Sequence, residues 1–311
     1  MERRLRLKLV LAIPIFSIAM PAAAPSAGSA RPGTLNAIAG EVSINRVPVN
    51  AIRGIPIALE GGVIRTARGM AEILLSPGIV LRLGNASELT LETAGKPEVR
   101  VRLRRGEALL EVLDAGGALT IEQNGVTTAV QDSGLYEFDQ KRSVIAVYAG
   151  EAGLNKDGHR LVLHAGFSVG THRFRVFPAS PDRGNALFAW SRSRSEQLSS
   201  ESQASAQDNT GAARSPGPRW HWDPWSASYT FLSASGFVTG PFGWPYFSPG
   251  YAPDSIPVHR GDSWLYGPPV LSSPDRPRGF GRARPIEPER GNVAPTVPLT
   301  APGEPRFPNN R

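Results

Sequence analysis

The sequence has no cysteine among its 311 residues. This absence excludes disulfide bonds, thiolate nucleophiles and every zinc or iron–sulfur site that depends on cysteine ligands. A lipoprotein anchor is excluded for the same reason. The absence does not fix the compartment, because a domain of ordinary size can fold outside the cytoplasm without disulfides when its core is large enough.

Motifs of the common enzyme classes are also missing. No Gly-x-Ser-x-Gly string stands in the strand–turn–helix setting that a nucleophilic serine needs, and no Gly-x-x-x-x-Gly-Lys-[Ser/Thr] loop is present to cradle a phosphate. A pair of catalytic carboxylates could arise only in three dimensions, from glutamates that we expect to face solvent: Glu72, Glu88, Glu92, Glu107 and Glu111. We therefore expect no catalytic residue and no cofactor, and we predict that the chain is not an enzyme.

The chain is basic, with a formal net charge of +7. Its basic residues are spread along the sequence and do not form one patch, so nucleic acid is not the expected partner. The 33 glycines and 29 prolines are many for this length, which indicates that part of the chain does not pack into a domain.

The first thirty residues have the organisation of a secretory signal peptide. A basic segment with Arg3, Arg4, Arg6 and Lys8 precedes an apolar segment, Leu9–Met20, and small residues follow at Ala22–Ala24. The apolar segment is too short to span a bilayer comfortably, and no second one follows it. We expect residues 1–30 to be removed, leaving a periplasmic or secreted chain without a transmembrane span.

Period-two alternation dominates residues 36–177. Val99, Val101 and Leu103 alternate with arginines, which is typical of a strand that buries one face. Asn124-Gly125 and Asp157-Gly158 lie between apolar runs, where type I′ hairpin turns need positive φ. Many short strands at close spacing predict an all-β domain, an antiparallel β-sandwich or β-roll.

A Gly-Glu pair recurs before three predicted strands. It stands at Gly40-Glu41, Gly106-Glu107 and Gly150-Glu151. A fixed period would indicate a β-solenoid, but the three spacings are unequal. Repeated strand-entry turns of a sandwich or roll are the favoured interpretation, with a solenoid-like fold as the alternative.

The period changes to that of a helix over residues 182–205. Leu187, Trp190, Arg194 and Leu198 fall on one face, and Asp182 or Asn185 can cap the start. We predict one amphipathic helix that closes the domain. Its serines are expected on the outer face, so the helix should fray before Ala206.

Residues 206–311 are rich in Pro, Gly, Ser and Arg and lack aliphatic periodicity, so we predict a mostly disordered tail. An aromatic-rich patch at 220–251 differs from the rest. It predicts either a small turn-rich module or contact points that order on a partner.

Candidate ligand-binding groups are few. His159, His164 and His172 are close in sequence, but without further ligands we expect no metal site. Exposed arginines suit carboxylates and aromatic faces suit sugar rings or Pro-rich peptides, although the arginine stripe also fits a solvated sheet face. The candidate partner-binding residues are Arg100, Arg102, Arg104, Trp220, Trp222, Trp225, Trp244 and Tyr246.

The order of these features resembles the FecR-domain family. The resemblance covers about residues 36–176 and lies in turns and apolar positions, with no catalytic residue to match. Its motifs are Gly40-Glu41-Val42-Ser43, the run Gly61–Gly78 with Arg65-Thr66, Ala71-Glu72 and Pro77-Gly78, the strand Leu103–Val112, and a closing hairpin from Gly134–Asp139 and Val147–Ala152. A helix with Trp-Ser-Arg-Ser-Arg, here Trp190–Arg194, and an aromatic tail also follow the domain in secreted bacterial relatives.

The resemblance implies an exported β-rich domain that binds or senses. In the regulator that names the family, the domain is periplasmic and relays receptor status to a sigma factor. This sequence has a signal peptide in place of the cytoplasmic anti-sigma region. The expected partner is an envelope protein or a polysaccharide. The alternative is a structural envelope or matrix protein whose aromatic, Pro-rich tail mediates assembly.

Overall fold

The computed structural model of the chain describes residues 30–51, 54–95, 98–114, 116–208 and 217–251. Its elements are β1 (Thr34–Ile44), β2 (Val47–Pro48), a 3-10 turn (Val49–Ala51), β3 (Val63–Leu74), β4 (Ile79–Leu83), β5 (Glu88–Thr93), β6 (Glu98–Arg105), β7 (Glu107–Val112), β8 (Ala118–Gln123), β9 (Val126–Val130), β10 (Gly134–Asp139), β11 (Val144–Ala149), β12 (Glu151–Lys156), β13 (His159–His164), β14 (Phe167–Gly170), β15 (Arg175–Pro178), α1 (Ala186–Asp208), β16 (Arg219–Asp223), β17 (Ser228–Leu232), β18 (Phe237–Thr239) and β19 (Pro245–Phe247). The predicted all-β class with a single helix is confirmed.

The strands β1–β15 form one hydrogen-bonded sheet with two leaves. Strand β3 belongs to both, because Val63–Arg65 pairs with β5 and Ala71–Leu74 pairs with β4. The first leaf continues from β5 through β6, β8, β9, β12 and β13, and the second from β4 through β7, β10, β11, β14 and β15. Strand β1 runs antiparallel to β3 along both leaves. Apart from the parallel pair β6 and β8, the described strand pairs are antiparallel.

Apolar side chains from the two leaves form one core. Val101 and Leu103 enter it from the first leaf, and Leu81, Leu110 and Phe138 enter it from the second, all of them buried. The leaves therefore pack face to face, as in a β-sandwich. Burial of Val99, Val101 and Leu103 on alternate positions of β6 confirms the predicted half-buried strand.

A pair of glycines lets β1 and β3 bend from one leaf into the other. Gly40 lies opposite Gly69, and the register of the two strands shifts just beyond them. Gly40 has a φ of +76°, and a Cβ on it would lie 2.1 Å from the carbonyl oxygen of Arg68. Only glycine fits there. Of the three Gly-Glu pairs, this one marks the bend, whereas Gly106 and Gly150 directly precede β7 and β12.

The hairpin turns follow the sequence. Asn124 and Gly125 have φ values of +50° and +73° between β8 and β9, and Asp157 and Gly158 have +50° and +84° between β12 and β13. Both are the positive-φ pairs that a type I′ turn requires. The predicted two-residue hairpins are confirmed.

Helix α1 begins at its predicted cap. The side-chain oxygen Oδ1 of Asn185 accepts hydrogen bonds from the backbone amides of Leu187 (2.7 Å) and Phe188 (3.1 Å). These bonds satisfy two amides that have no partner within the helix. The helix runs to Asp208, so the prediction that it frays before Ala206 is wrong.

Five of the seven serines of α1 face inward, contrary to expectation, and only Ser193 and Ser200 are exposed. Ser191, Ser195, Ser199 and Ser202 are buried. Ser199 Oγ donates to the carbonyl of Pro245 (2.6 Å), and Ser202 Oγ donates to that of Phe231 (2.7 Å). Their small side chains let α1 approach the strands that follow it, and their hydroxyls bond backbone groups that β17 and β19 leave unpaired.

Residues 217–251, which include the aromatic-rich patch, are folded. They form two hairpins, β16–β17 and β18–β19, that pack on α1 and on the outer face of the second leaf. Of the two alternatives for the aromatic patch, the folded module is the one observed. The hairpins and α1 together are called the cap below.

Two predicted regions lie outside the described residues: the signal peptide, except for Ala30, and the tail beyond Tyr251. Within the described part of the chain, α1 is not apolar enough to cross a bilayer.

Removing the helix cap should weaken the fold measurably. We expect Asn185→Ala to lower the free energy of unfolding by about 1 kcal/mol, because two amides of the first turn lose their acceptor. Urea denaturation followed by circular dichroism measures this. The control Asn155→Ala, on an exposed position of β12, should change stability by less than about 0.5 kcal/mol. Equal effects of both substitutions would contradict the capping role.

Candidate functional site

The outer face of the second leaf carries three charged side chains that are completely removed from water. Arg82 of β4 lies between Glu72 of β3 and Glu111 of β7, with Nε 2.9 Å from Glu72 Oε2 and Nη1 2.7 Å from Glu111 Oε2. Their exposed fractions are 0%, 0% and 1%. Charges at this depth are retained only when they are paired and hydrogen-bonded.

The cap supplies the remaining partners. Arg194 of α1 donates from Nη2 to Glu72 Oε1 (2.8 Å), and Ser195 Oγ donates to Glu111 Oε2 (2.5 Å). The Tyr246 hydroxyl of β19 donates to the carbonyl oxygen of Ser195 (3.2 Å). Two carboxylates therefore face two guanidiniums. We call Glu72, Arg82, Glu111 and Arg194 the buried ionic network.

Asparagine 36 joins the network to the first hairpin of the cap. Its Nδ2 donates to Glu72 Oε1 (3.0 Å) and to the carbonyl of Tyr229 (2.9 Å). Its Oδ1 accepts from the amide of Tyr229 (2.7 Å). One side chain of β1 thus binds both backbone groups of a β17 residue.

The electrostatics keep Glu72 and Arg82 ionised. Burial alone would raise the pKa of Glu72, but Arg82 and Arg194 outweigh it and lower the pKa to about 2. Burial likewise disfavours the charge on Arg82, yet Glu111 and Glu72 raise its pKa. Burial, and after it the nearby Glu111 carboxylate, raises the pKa of Tyr246, which therefore stays a neutral donor.

The expectation that Glu72 and Glu111 face solvent is wrong. The sequence carried a signal for their burial: β4 reads Ile-Val-Leu-Arg-Leu and β7 reads Glu-Ala-Leu-Leu-Glu-Val, runs that are apolar on both faces. The two carboxylates do approach one another, but both are bonded to Arg82 and closed off from any substrate. This pair offers no acid–base site.

The arginine stripe of β6 is engaged in contacts along its own strand and to neighbouring strands. Arg102 bridges Glu92 (2.5 Å) and Glu122 (2.7 Å). Arg100 bonds Glu98 at 3.2 Å, and Arg104 donates from Nε to the hydroxyl of Thr90 at 2.8 Å. These contacts fit the solvated sheet face that the sequence also allowed, and they compete with any external anion.

The aromatic candidates separate into core and surface. Trp220 and Tyr246 are 2% and 0% exposed, so they pack the cap against the sheet. The prediction that they contact a partner is wrong, because a partner cannot reach them. Trp220 also donates from Nε1 to the carbonyl of Ser76 (3.1 Å). Trp222 and Trp244 are half-buried.

Trp225 is the exception, with 93% of its surface exposed. It stands in the loop between β16 and β17. Asp223 holds this loop, because Oδ1 accepts from the amide of Trp225 (3.0 Å) and Oδ2 from that of Ser226 (3.3 Å). A folded, anchored loop thus presents an indole to solvent.

Within the described ranges, one cluster has the makings of a cation site, formed by Glu107, Glu137 and Asp139. Its carboxylates already have partners. Arg142 lies 2.6 Å from Glu137 and 2.5 Å from Asp139, and the Tyr148 hydroxyl donates to Glu137. Glu107 accepts from the side-chain amide of Asn185 at 2.9 Å, so each carboxylate of the cluster is already engaged by a side chain of the protein. His159, His164 and His172 do not join it.

Comparison with known proteins identifies the central part of the chain. Residues 62–153 match the family model described as FecR protein, which confirms the predicted resemblance. These residues include β3–β11, and with them Glu72, Arg82 and Glu111. A comparison with curated proteins found no match.

Two solved structures, both described as a "putative anti-sigma factor" from Parabacteroides distasonis, are similar to part of the chain. One has 16% sequence identity and a TM-score of 0.34, and the match covers 42% of this chain and 64% of that one. The other has 15% identity and a TM-score of 0.34, covering 44% and 72%. The chain thus spans less than two thirds of the first of these structures.

The buried ionic network should make stability depend on acid. A carboxyl whose pKa is lowered on folding contributes stability that is complete above its unfolded pKa near 4.5 and is lost as the pH falls towards 2. For Glu72 this contribution is about 3 kcal/mol. We expect Glu72→Gln to cost about 3 kcal/mol at neutral pH and to flatten the stability profile between pH 4.5 and 2, as measured by urea denaturation.

Glu88→Gln is the matched control for this experiment. Glu88 pairs with Arg65 at 2.8 Å, but both side chains are partly exposed, at 21% and 31%. Its loss should therefore cost less than about 1 kcal/mol. If Glu72→Gln were no worse than this control, or left the acid profile unchanged, the buried ionic network would not stabilise the fold.

The two classes of tryptophan should respond differently to truncation. Trp220→Ala should cost about 3–5 kcal/mol because it leaves a cavity between cap and sheet. Trp225→Ala should change stability by less than about 0.5 kcal/mol because its indole contacts water. Thermal unfolding of both variants tests this. A large loss in Trp225→Ala would show that the exposed loop is part of the packed core.

Proposed function

We propose that this chain is an exported, non-enzymatic binding module, in which a FecR domain and its cap present one surface to another protein of the cell envelope. The match to FecR protein supports a binding or sensing role. The signal-peptide pattern of residues 1–30 supports export.

The observation that carries the proposal is the exposed indole of Trp225. Tryptophan is among the residues that contribute most to protein interfaces, and leaving one in water forgoes about 2 kcal/mol or more of burial free energy. The Asp223 side chain fixes the loop, so little conformational entropy would be lost on binding. The buried network in turn fixes the cap on the sheet.

The described carboxylates of the sheet argue against a catalytic role, because many of them are already paired. Glu72 contacts Arg82 and Arg194 in the buried ionic network. On the first leaf, Arg65, Arg100 and Arg102 contact Glu88, Glu98 and Glu92.

Capture from an envelope extract tests the proposal. The mature protein is immobilised and the retained proteins are compared with those retained by Trp225→Ala. We expect at least one envelope protein to be retained by the wild type and to be depleted about tenfold or more by the substitution, since hot-spot tryptophans contribute about 2 kcal/mol or more.

Leu59→Ala is the matched control, because Leu59 is the other large hydrophobic side chain with most of its surface exposed among the described residues, at 66%. It should leave capture unchanged. The proposal fails if nothing is retained above background, or if both substitutions act alike. A reporter fused after residue 30 that stays in the cytosol would refute export.

A further inference from the structure

A second surface lies along β1, at the edge shared by both leaves. On one side β1 is paired with β3; on the other, within the described residues, it has strand neighbours only at its ends, β2 at Ser43 and Ile44 and a single bridge from Thr34 to Ile57. Residues 37–41 therefore leave one edge of the strand open. An open edge is a template for adding another strand.

An arginine-lined cleft of about 910 Å³ lies across β1 and β3 at their bend, with Gly40–Ser43 and Arg65–Arg68 in its lining. Four arginines line it, Arg46, Arg65, Arg68 and Arg105, against a single glutamate, Glu41. Arg65 is paired with Glu88, and Arg68 makes a long contact of 3.4 Å with Glu41. Arg46 and Arg105 are exposed and have no carboxylate partner among the described residues. The cleft thus has an excess of positive charge, unlike the compensated stripe of Arg100 and Arg102.

Arg46 occupies a position that does not favour arginine. It is the second residue of the two-residue turn between β1 and β2, where Asn45 and Arg46 have φ values of +51° and +68°. Glycine is the preferred residue there, and a longer side chain costs about 1 kcal/mol. A residue kept in such a conformation is a reason to look for a function of its side chain.

A second cleft, of about 500 Å³, meets the first at Ile38. Its lining includes Trp222 and Tyr229 from the cap and Ile55 and Pro56 from the loop beside β1. Ile38 itself is 43% exposed. The two clefts form a trough along Leu35–Ser43, about 30 Å long at the rise of a strand, charged at one end and apolar at the other.

We propose that this trough binds an extended segment of a partner protein, which adds to the open edge of β1 with acidic residues at the arginine-lined end and apolar residues at the end with Trp222 and Tyr229. Backbone pairing supplies register, and the unpaired guanidiniums of Arg46 and Arg105 select carboxylates. The inference rests on the proposed function as a binding module and names the chemistry of one partner.

Fluorescence anisotropy with defined peptides tests this proposal. The probes are fluorescein-labelled peptides of about nine residues, alternating Glu and Val and ending in two Phe residues at either the N- or the C-terminus, since the strand direction is open. We expect one of the two to bind at low ionic strength, and its Gln–Val counterpart to bind about tenfold more weakly or worse.

The double variant Arg46→Gly/Arg105→Gln should lower the affinity by about tenfold or more. Glycine suits the turn conformation, so this variant should fold at least as well as the wild type. The control Arg160→Gln/Arg175→Gln removes the same charge from the edge strands β13 and β15 and should leave the affinity within about twofold.

Methylation of the peptide backbone separates strand addition from simple charge attraction. Methylating alternate amides along one edge of the peptide should abolish binding, and methylating the other set should not, because only one edge faces β1. Equal tolerance of both sets would overturn strand addition.

Two further outcomes would refute the proposal: no binding by either peptide, or equally tight binding of polygalacturonate with the same dependence on Arg46 and Arg105, which would make the cleft a polyanion site. Failure of this inference is separable from failure of the proposed function. Capture that depends on Trp225, together with an inert trough, would leave the proposed function standing.

Discussion

The structure depends on a constraint set by Arg82, a guanidinium with no exposed surface in the middle of a sheet. Because water is excluded there, such a charge is stable only if carboxylates pair with it. Glu72 and Glu111 provide the carboxylates from the neighbouring strands. Asn36 of β1 donates to Glu72, but the second guanidinium for Glu72 and the hydroxyl donor for Glu111 come from outside the sheet. Arg194 and Ser195 of α1 provide those donors. The sheet therefore requires its cap, and the positions of the two hairpins, of Trp225 and of the apolar end of the trough follow from that requirement.

The buried ionic network includes residues inside and outside the segment that matches FecR protein. Residues 62–153 contain Glu72, Arg82 and Glu111, whereas Arg194 and Tyr246 lie beyond the matched segment. The helix joins the two through small residues, because Ser195, Ser199 and Ser202 allow close approach and satisfy backbone and carboxylate acceptors at once. Two of the exposed surfaces in the described part of the chain, the loop of Trp225 and the open edge of β1, lie on elements that the network anchors.

Local rules predicted what is local. Alternation identified β6, positive-φ pairs identified the turns at Asn124 and Asp157, and spacing with Asn185 identified α1. The same rules did not predict the contacts between residues that are far apart in the sequence. The polarity of serine, considered within the helix alone, predicts the solvent face of α1. The acceptors of Ser202 and Ser199 lie about 30 to 45 residues further along the chain, at Phe231 and Pro245. The density of aromatic residues predicts a contact surface at Trp220 and Tyr246. It does not show that this contact is with the chain's own second leaf and not with another molecule. The charged Arg82 indicated that one face of β4 meets solvent, although both faces of that strand are buried.

Hydrogen exchange of the intact protein tests the central claim most directly. If the network makes sheet and cap one cooperative unit, the amides of α1, β17 and β19 should exchange with the same free energy as those of β4 and β7, the free energy of global unfolding. The account is contradicted if the cap amides exchange by a local opening of markedly lower free energy while β4 and β7 stay protected.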